Sequence, residues 1–74
     1  MTLREADKVA RMGWPIIHQK PGERPVEYSR ITQIGYKYTN RGRRVEYVQL
    51  LDKNGTSVTE ADPAHCNLKE EAIP

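Results

Sequence analysis

The chain has 74 residues, one cysteine and a formal net charge of +2 at pH 7. A chain of this length forms at most one domain and buries only about 60% of the surface that it exposes when unfolded, so its core is small. No run approaches the roughly 18 apolar residues of a membrane span. Residues 1–13 lack the apolar segment of a secretory signal, and one cysteine cannot form an internal disulfide. We therefore expect a cytoplasmic protein without membrane contact.

Charge is distributed unevenly along the chain. Residues 20–44 carry seven Lys or Arg against two Glu, whereas residues 45–74 carry two Lys against six Asp or Glu. Such asymmetry is typical of proteins with a polyanionic partner. It is equally compatible with two halves that neutralise each other once their strands interleave, so the sequence leaves both interpretations open.

The first segment, residues 1–13, is predicted to be a helical N-terminal arm, with the helix over residues 2–12. Thr2 and Glu5 have the spacing of a capping box, in which each side chain bonds the backbone of the other residue. Gly13 suits a helix C-terminus. Four apolar residues fall near one helix face: Leu3, Ala6, Val9 and Ala10. The alternative is a frayed tail.

A short strand at Ile16 and Ile17 is expected next. Trp14 is pushed towards an extended conformation by the proline that follows it. It either covers the core or is exposed to contact a partner. Residues 20–25 contain Pro-Gly turn chemistry and are predicted to form an exposed loop.

Residues 26–39 are predicted to form one long bent strand. Their alternation of apolar and polar residues slips between Tyr28 and Ile31, and Gly35 marks a place where it can slip again. A β-bulge or a sharp bend accounts for both features. Two shorter strands separated by a kink are the alternative.

Residues 43–52 are predicted to pair antiparallel with that strand. Both faces of the segment carry apolar residues in its middle, which predicts a strand buried on both sides. Asn54 and Gly55 then favour a type I′ hairpin turn, in which both residues take positive φ. A short strand over residues 56–59 is expected to follow.

The C-terminal part continues with a one-turn 3₁₀ connector over residues 60–64, because Asp62-Pro63 favours a turn. Residues 65–69 are predicted to form the final strand, and residues 70–74 a disordered tail.

This succession of elements resembles the SH3-like small barrels, with a long bent strand, a tight hairpin, a helical turn and a closing strand. The resemblance covers residues 15–69 and includes the ending Asp62-Pro63-x-x-Cys66-x-Leu68. It implies a mainly β fold: a five-stranded SH3-like antiparallel small barrel over residues 14–69, with a short N-terminal helix. Barrels of this shape bind peptides, RNA, DNA or other subunits. The acidic and aromatic groove of the proline-binding SH3 domains is absent from this sequence.

The main candidate site is a basic and aromatic hairpin, to which Arg30 is added as an extension of the same surface. Cations attract phosphates, and unstacked bases stack on Tyr or Arg. The alternatives are an acidic protein partner and a solvated turn whose tyrosines pack on neighbouring strands. The candidate residues of the hairpin are Tyr36, Lys37, Tyr38, Arg41, Arg43 and Arg44.

Catalysis is not expected. His65 and Cys66 are adjacent in a strand, so their side chains point to opposite faces and cannot readily form a dyad. Cys66 is predicted to be a small buried apolar residue, and His18 and His65 to lie at the surface or at strand edges. One Cys and two His at these spacings form no zinc motif, and no cofactor motif is present.

We therefore expect a non-catalytic binding module that contacts nucleic acid through the basic hairpin. A protein-interaction module, such as an inhibitor or accessory protein of a phage or other mobile element, is the second hypothesis. Self-association into a homo-oligomer through an exposed strand edge or the helix is the third.

Overall fold

The computed structural model describes residues 1–69. The fold is mainly β, as predicted, and the one α-helix of these residues, α1, has ten residues. No helix in this range is long and apolar enough to cross a membrane, and the predicted tail at 70–74 lies outside the described residues. The elements in chain order are α1 (Leu3–Met12), β1 (Ile16–His18), β2 (Val26–Tyr28), β3 (Arg30–Tyr38), β4 (Arg44–Leu51), β5 (Val58–Ala61), a 3₁₀ turn (Pro63–His65) and β6 (Cys66–Leu68).

The predicted capping box at the start of α1 is confirmed. The Glu5 N–H donates to Thr2 Oγ1 at 3.2 Å, and the Thr2 N–H donates to the Glu5 carboxylate at 3.1 Å. The hydrogen bonds that the Glu5 carboxylate accepts from the Thr2 N–H and from the Thr2 hydroxyl lower the pKa of Glu5. Gly13 ends the helix with a φ of 68°. Ala6 and Val9 are buried, so the helix is held by the same core as the strands.

The strands form two antiparallel sheets of three strands each, in the orders β2-β1-β6 and β3-β4-β5. This corrects the prediction of five strands in one barrel, because residues 1–69 form six strands and the two sheets are not closed. The extra strand arises at Ser29, where the segment 26–39 leaves one sheet and enters the other. The Ser29 N–H donates to Leu51 O at 2.8 Å, which fixes the crossing against β4.

The slip in alternation that the sequence shows corresponds to this break and to a shift of register between Ile31 and Gln33. Gly35 does not mark a second slip in the alternation, because it pairs with Tyr47 in regular register. A Cβ atom at this position would lie 3.1 Å from Tyr47 Oη, because the Tyr47 ring lies directly over the glycine. The missing side chain therefore lets the tyrosine pack against the sheet.

The core is small and lies between α1 and the two sheets. Its largest fully buried side chains are Ile16, Val48, Leu50, Pro63 and Cys66. Trp14 is partly buried and packs against this cluster, in agreement with the first of its two predicted roles. Cys66 is fully buried, as predicted.

Strand β4 is not buried on both sides over its length, contrary to the prediction. Val48 and Leu50 are fully buried on one face, whereas Val45 is 37% exposed on the other. The first three residues of the strand are exposed on both faces. The reason is that β4 extends past the end of the core.

The turn between β4 and β5 is not of type I′, because Gly55 has a φ of 73° while no residue other than glycine has a positive φ within residues 1–69. The Gly55 N–H donates to Asp52 O at 3.1 Å. The Asp52 carboxylate accepts from the Thr56 N–H and hydroxyl and from the Ser57 hydroxyl. These bonds, chiefly those from Thr56, lower the pKa of Asp52 to about 2. These hydrogen bonds hold Thr56 and Ser57 in the turn, so β5 begins at Val58.

Candidate functional site

The predicted basic hairpin is the outer part of the β3–β4 pair, residues 36–46, which we call the arm. The Thr39 N–H donates to Arg43 O at 2.8 Å, and the Gly42 N–H donates to Thr39 O at 2.9 Å. Gly42 has a φ of 78°. This is the pattern of a three-residue hairpin loop that closes with a left-handed glycine.

Both tyrosines of the arm lie on one side, which we call the tyrosine face. Tyr36 pairs with Glu46 and Tyr38 with Arg44, and directly paired residues project to the same face of a sheet. The two rings meet edge to face, with centroids 5.9 Å apart. The Arg44 guanidinium lies 4.2 Å from the centroid of the Tyr36 ring, in a cation–π contact.

The tyrosine face lies on the same side of the sheet β3-β4-β5 as the residues that face the core. It begins beyond the part of that side that other elements cover. Ile31 and Val48 on this side are buried by α1 and the sheet β2-β1-β6. Tyr36 and Tyr38, farther along, are 53% and 64% exposed. The aromatic rings are therefore accessible to a partner, and the Tyr36 ring also packs against Arg44 of the neighbouring strand β4.

Lys37 projects to the opposite face of the arm, where its charge is neutralised. Its Nζ lies 2.8 Å from the Glu60 carboxylate and 5.6 Å from the centroid of the Tyr47 ring. Gln33 completes this group by donating to Tyr47 Oη at 3.3 Å. The structure thus separates Lys37 from the tyrosines, although it is next to both in sequence.

The turn of the arm carries cations without a partner in the described part of the chain. Arg41 and Arg43 form no ion pair with any carboxylate of residues 1–69, and the Arg44 guanidinium has only Glu46, at 3.9 Å. Lys37, also in the arm, pairs with Glu60 of the acidic half, and Glu27 of the basic half pairs with Lys53 at 2.8 Å and with Lys69. Ion pairing within residues 1–69 therefore leaves Arg41 and Arg43 of the arm available.

Arg30 does not belong to this surface. It pairs with Leu51 at the other end of β3, eight residues and therefore roughly 26 Å from Tyr38 along the strand. The structure brings together Tyr36, Tyr38 and Arg44, with Arg41 and Arg43 in the adjoining turn. Glu46 also lies on the tyrosine face, and sequence reasoning omitted it. The register of the predicted hairpin would have found it, because Tyr36 and Glu46 are equidistant from the turn.

An open groove runs beside the outer part of β4. One section has a volume of about 450 Å³ and is bounded by the arm and Asp62. A second section of about 270 Å³ adjoins it and reaches His18 and His65. The residues that both sections share are Val45, Glu46 and Asp62.

His18 is buried in the central strand of the sheet β2-β1-β6, contrary to the prediction that it lies at the surface or at a strand edge. It is 8% exposed, and its Nε2 has no hydrogen-bond partner within residues 1–69. Burial, with a smaller contribution from the charge of Lys20, lowers the pKa of His18. Burial therefore favours the neutral form of the imidazole.

Cys66 is the residue opposite His18 in the pairing of β1 with β6. Burial raises the pKa of the Cys66 thiol to about 11, and the thiol contacts Asp62 O at 3.5 Å. A thiol that stays protonated is a poor nucleophile. Within residues 1–69, no three His, Cys, Asp or Glu side chains are placed to share a metal ion.

Comparison with protein-family models, with curated proteins and with solved structures finds no match. The geometry of the arm is therefore the basis for the functional argument.

Proposed function

We propose that the protein is a non-catalytic module that binds single-stranded nucleic acid through the arm. The observation that carries the proposal is the exposed pair Tyr36 and Tyr38 beside Arg44, with Arg41 and Arg43 in the adjoining turn. We also propose that the fold is an open relative of the SH3-like barrels, since the chain crosses from one sheet to the other at Ser29 within a single extended segment.

The preference for single strands follows from the aromatic residues. Bases stack on tyrosine only when they are not stacked in a duplex, and each such contact is worth about 1–3 kcal/mol. Arginines beside the rings then bind the phosphates, with an affinity that falls as salt rises.

Tyr38 is the main stacking residue in this proposal. Tyr36 is less exposed, and the Arg44 guanidinium already covers its ring. Tyr38 is 64% exposed and touches Tyr36 edge to face, which leaves its ring available to a base. Tyr36 and Arg44 support it from one side.

The charge test is a double reversal, Arg41→Glu with Arg43→Glu, measured by fluorescence anisotropy with labelled single- and double-stranded oligonucleotides. Neither arginine has an ion pair within residues 1–69, so the fold should persist. We expect single strands to bind more tightly, and the variant to lose about tenfold or more in affinity with a shallower salt dependence.

The matched control reverses two exposed cations outside the arm, Lys8→Glu with Arg24→Glu, and changes the net charge by the same amount. We expect this control to retain most of the affinity. Equal losses in both double variants would show that net charge alone attracts the oligonucleotide and would contradict a site at the arm.

The stacking test compares three substitutions of Tyr38. Tyr38→Ala should weaken single-strand binding by roughly 5- to 150-fold, the equivalent of one stacked base. Tyr38→Phe should retain binding, and Tyr38→Leu should not, because it keeps the apolar bulk without the flat ring. Absence of salt-dependent oligonucleotide binding in the wild type would overturn the proposal and favour an acidic protein surface, which the same arginines would attract.

A further inference from the structure

The outer part of β4 has an open edge. β5 pairs only with residues 48–51, and its last residue, Ala61, lies opposite Val48. The chain then leaves the sheet at Asp62 and Pro63, and proline has no N–H to continue a ladder. On this side, residues 44–47 have no neighbouring strand within residues 1–69.

The backbone groups that face this edge follow from the alternation of an antiparallel ladder. The Asp52 N–H donates to Ser57 O at 3.0 Å, so the even-numbered residues of β4 bond towards β5. On the other side, the pairing of Thr39 with Arg43 starts the ladder to β3 on the odd-numbered residues. The N–H and C=O groups of Arg44 and Glu46 therefore point to the open edge.

We infer that a second copy of this chain pairs with β4 at this edge, antiparallel and about a two-fold axis through Val45. Arg44 then lies opposite Glu46 of the partner subunit, and Glu46 lies opposite Arg44 of the partner subunit. Both are hydrogen-bonded pairs, so the four edge-facing backbone groups of each copy all find partners.

Charge favours the same alignment. Residues directly opposite each other in an antiparallel pair interact through their side chains, and opposite charges stabilise the pair. The two-fold arrangement places an arginine against a glutamate twice, and Val45 against Val45 of the partner subunit. Val45 is 37% exposed, so the contact also removes apolar surface from water.

The length of the edge fits a copy of the same strand. The open stretch covers residues 44–47, and the partner's β4 reaches it just after its own turn at residues 39–43. In this register Arg43 of the partner subunit lies opposite Tyr47, one position before Val48, where β5 ends at Ala61. Arg43 of the partner subunit then approaches Asp62 across the groove beside β4, which adds a second contact between opposite charges.

The dimer joins the two arms into one continuous sheet. Because the axis is perpendicular to that sheet, both tyrosine faces lie on the same side, with the two β3 strands about 14 Å apart. Two aromatic and basic surfaces would then form one larger surface. The dimer itself does not depend on nucleic-acid binding, and its tests contain no nucleic acid.

The first test is a cross-link at the axis. Residues opposite each other in a non-hydrogen-bonded pair have Cα atoms about 4.5 Å apart, within the range of a disulfide. Val45→Cys should form a covalent dimer under mild oxidation. Val58→Cys, an exposed valine of the neighbouring strand, is the matched control and should react far more slowly. The native Cys66 is fully buried and should not contribute.

The second test is sedimentation velocity over concentrations up to about 1 mM, because a contact this small forms a weak dimer. Arg44→Glu and Glu46→Arg each place like charges opposite each other and should weaken the dimer roughly tenfold or more. The double variant Arg44→Glu with Glu46→Arg restores opposite pairs and should dimerise again.

A proline substitution tests pairing at the open edge independently of folding. In Glu46→Pro, the lost N–H faces the open edge, so the arm should remain folded by circular dichroism while the dimer is lost. Val45→Pro removes a bond to β3 and should unfold the arm. A wild-type protein that stays monomeric at 1 mM, or equal cross-linking at positions 45 and 58, would overturn the inference. A dimer that binds no oligonucleotide would overturn only the proposed function.

Discussion

The two ends of β4 differ although they belong to one continuous strand. At its C-terminal end, Val48 and Leu50 are fully buried under α1 and the sheet β2-β1-β6. At its N-terminal end, residues 44–46 are exposed on both faces. We call the covered part of the molecule the body; it consists of α1, β1, β2, β5, β6 and the inner parts of β3 and β4. The comparison shows that one hairpin supplies the core of the body and also the exposed surface of the arm.

The division has a physical cause in the number of layers. Apolar side chains stabilise a sheet only where another element removes them from water. The body has such a second layer and the arm has none. The tyrosines of the arm therefore contribute little to burial, and substitutions in the arm should affect binding while substitutions in the body affect folding.

The largest expected effect on stability comes from shortening a buried apolar residue of β4, and an exposed apolar residue of the same strand provides the comparison. Leu50→Ala should lower the free energy of unfolding by about 2–5 kcal/mol, because it leaves a cavity in a small core. Domains of this kind have about 5–15 kcal/mol in total. Val45→Ala, in the arm, should cost less than about 1 kcal/mol. Urea unfolding measures both, and similar losses would contradict the division.

The next effect lies at the boundary between body and arm. Gly35→Ala should cost about 1–3 kcal/mol, because the new Cβ would lie 3.1 Å from Tyr47 Oη and displace the ring. The same change in a Tyr47→Ala background should be neutral or stabilising, since alanine restricts the unfolded chain more than glycine does. A cost that persists without the Tyr47 ring would show that the backbone, not the contact, requires glycine.

A smaller effect is expected at the start of α1. Thr2→Ala removes the acceptor of the Glu5 N–H and should cost about 1 kcal/mol in global stability, because α1 is part of the core. Thr2→Ser keeps the hydroxyl and should retain most of that stability. Oligonucleotide affinity, measured where both variants are folded, should not change.

The smallest expected effect is a pH dependence of stability that arises in the body, at His18. The pKa of His18 is lower in the folded protein than in the unfolded chain, so the unfolded chain binds the proton first as pH falls. Stability should be complete above the unfolded pKa of about 6.5 and should decline as the pH falls from there towards the folded pKa. Urea unfolding at several pH values measures it. His18→Gln should remove this decline in stability. If the decline persisted in His18→Gln, a titratable group other than His18 would be its cause.

Local signals in the sequence predicted local structure well. The capping box of Thr2 and Glu5, the glycine that ends α1 and a 3₁₀ turn near Asp62 each depend on a few adjacent residues, and all are present. The turn spans Pro63–His65 and not residues 60–64 as predicted, because Glu60 and Ala61 belong to β5. The exposed tyrosines and arginines of the arm were also identified, because a charge run next to a glycine marks a hairpin turn.

Features that depend on distant residues were not predictable in the same way. The break at Ser29 is set by its hydrogen bond to Leu51, and the burial of His18 is set by the pairing of β1 with two strands from elsewhere in the chain. The turn at Asn54-Gly55 was misassigned because the Asp52 side chain competes for the same backbone groups. Lys37 was grouped with the tyrosines, although strand alternation alone places it on the other face.

The separation of arm and body also bears on how such a protein can evolve. Because side chains alternate along each strand, removing or adding two residues on both strands of the arm keeps every remaining side chain on its own face. Each such step changes the reach of the arm by about 7 Å. Lineages can therefore lengthen or shorten this projection by small paired insertions or deletions while the buried residues stay unaltered.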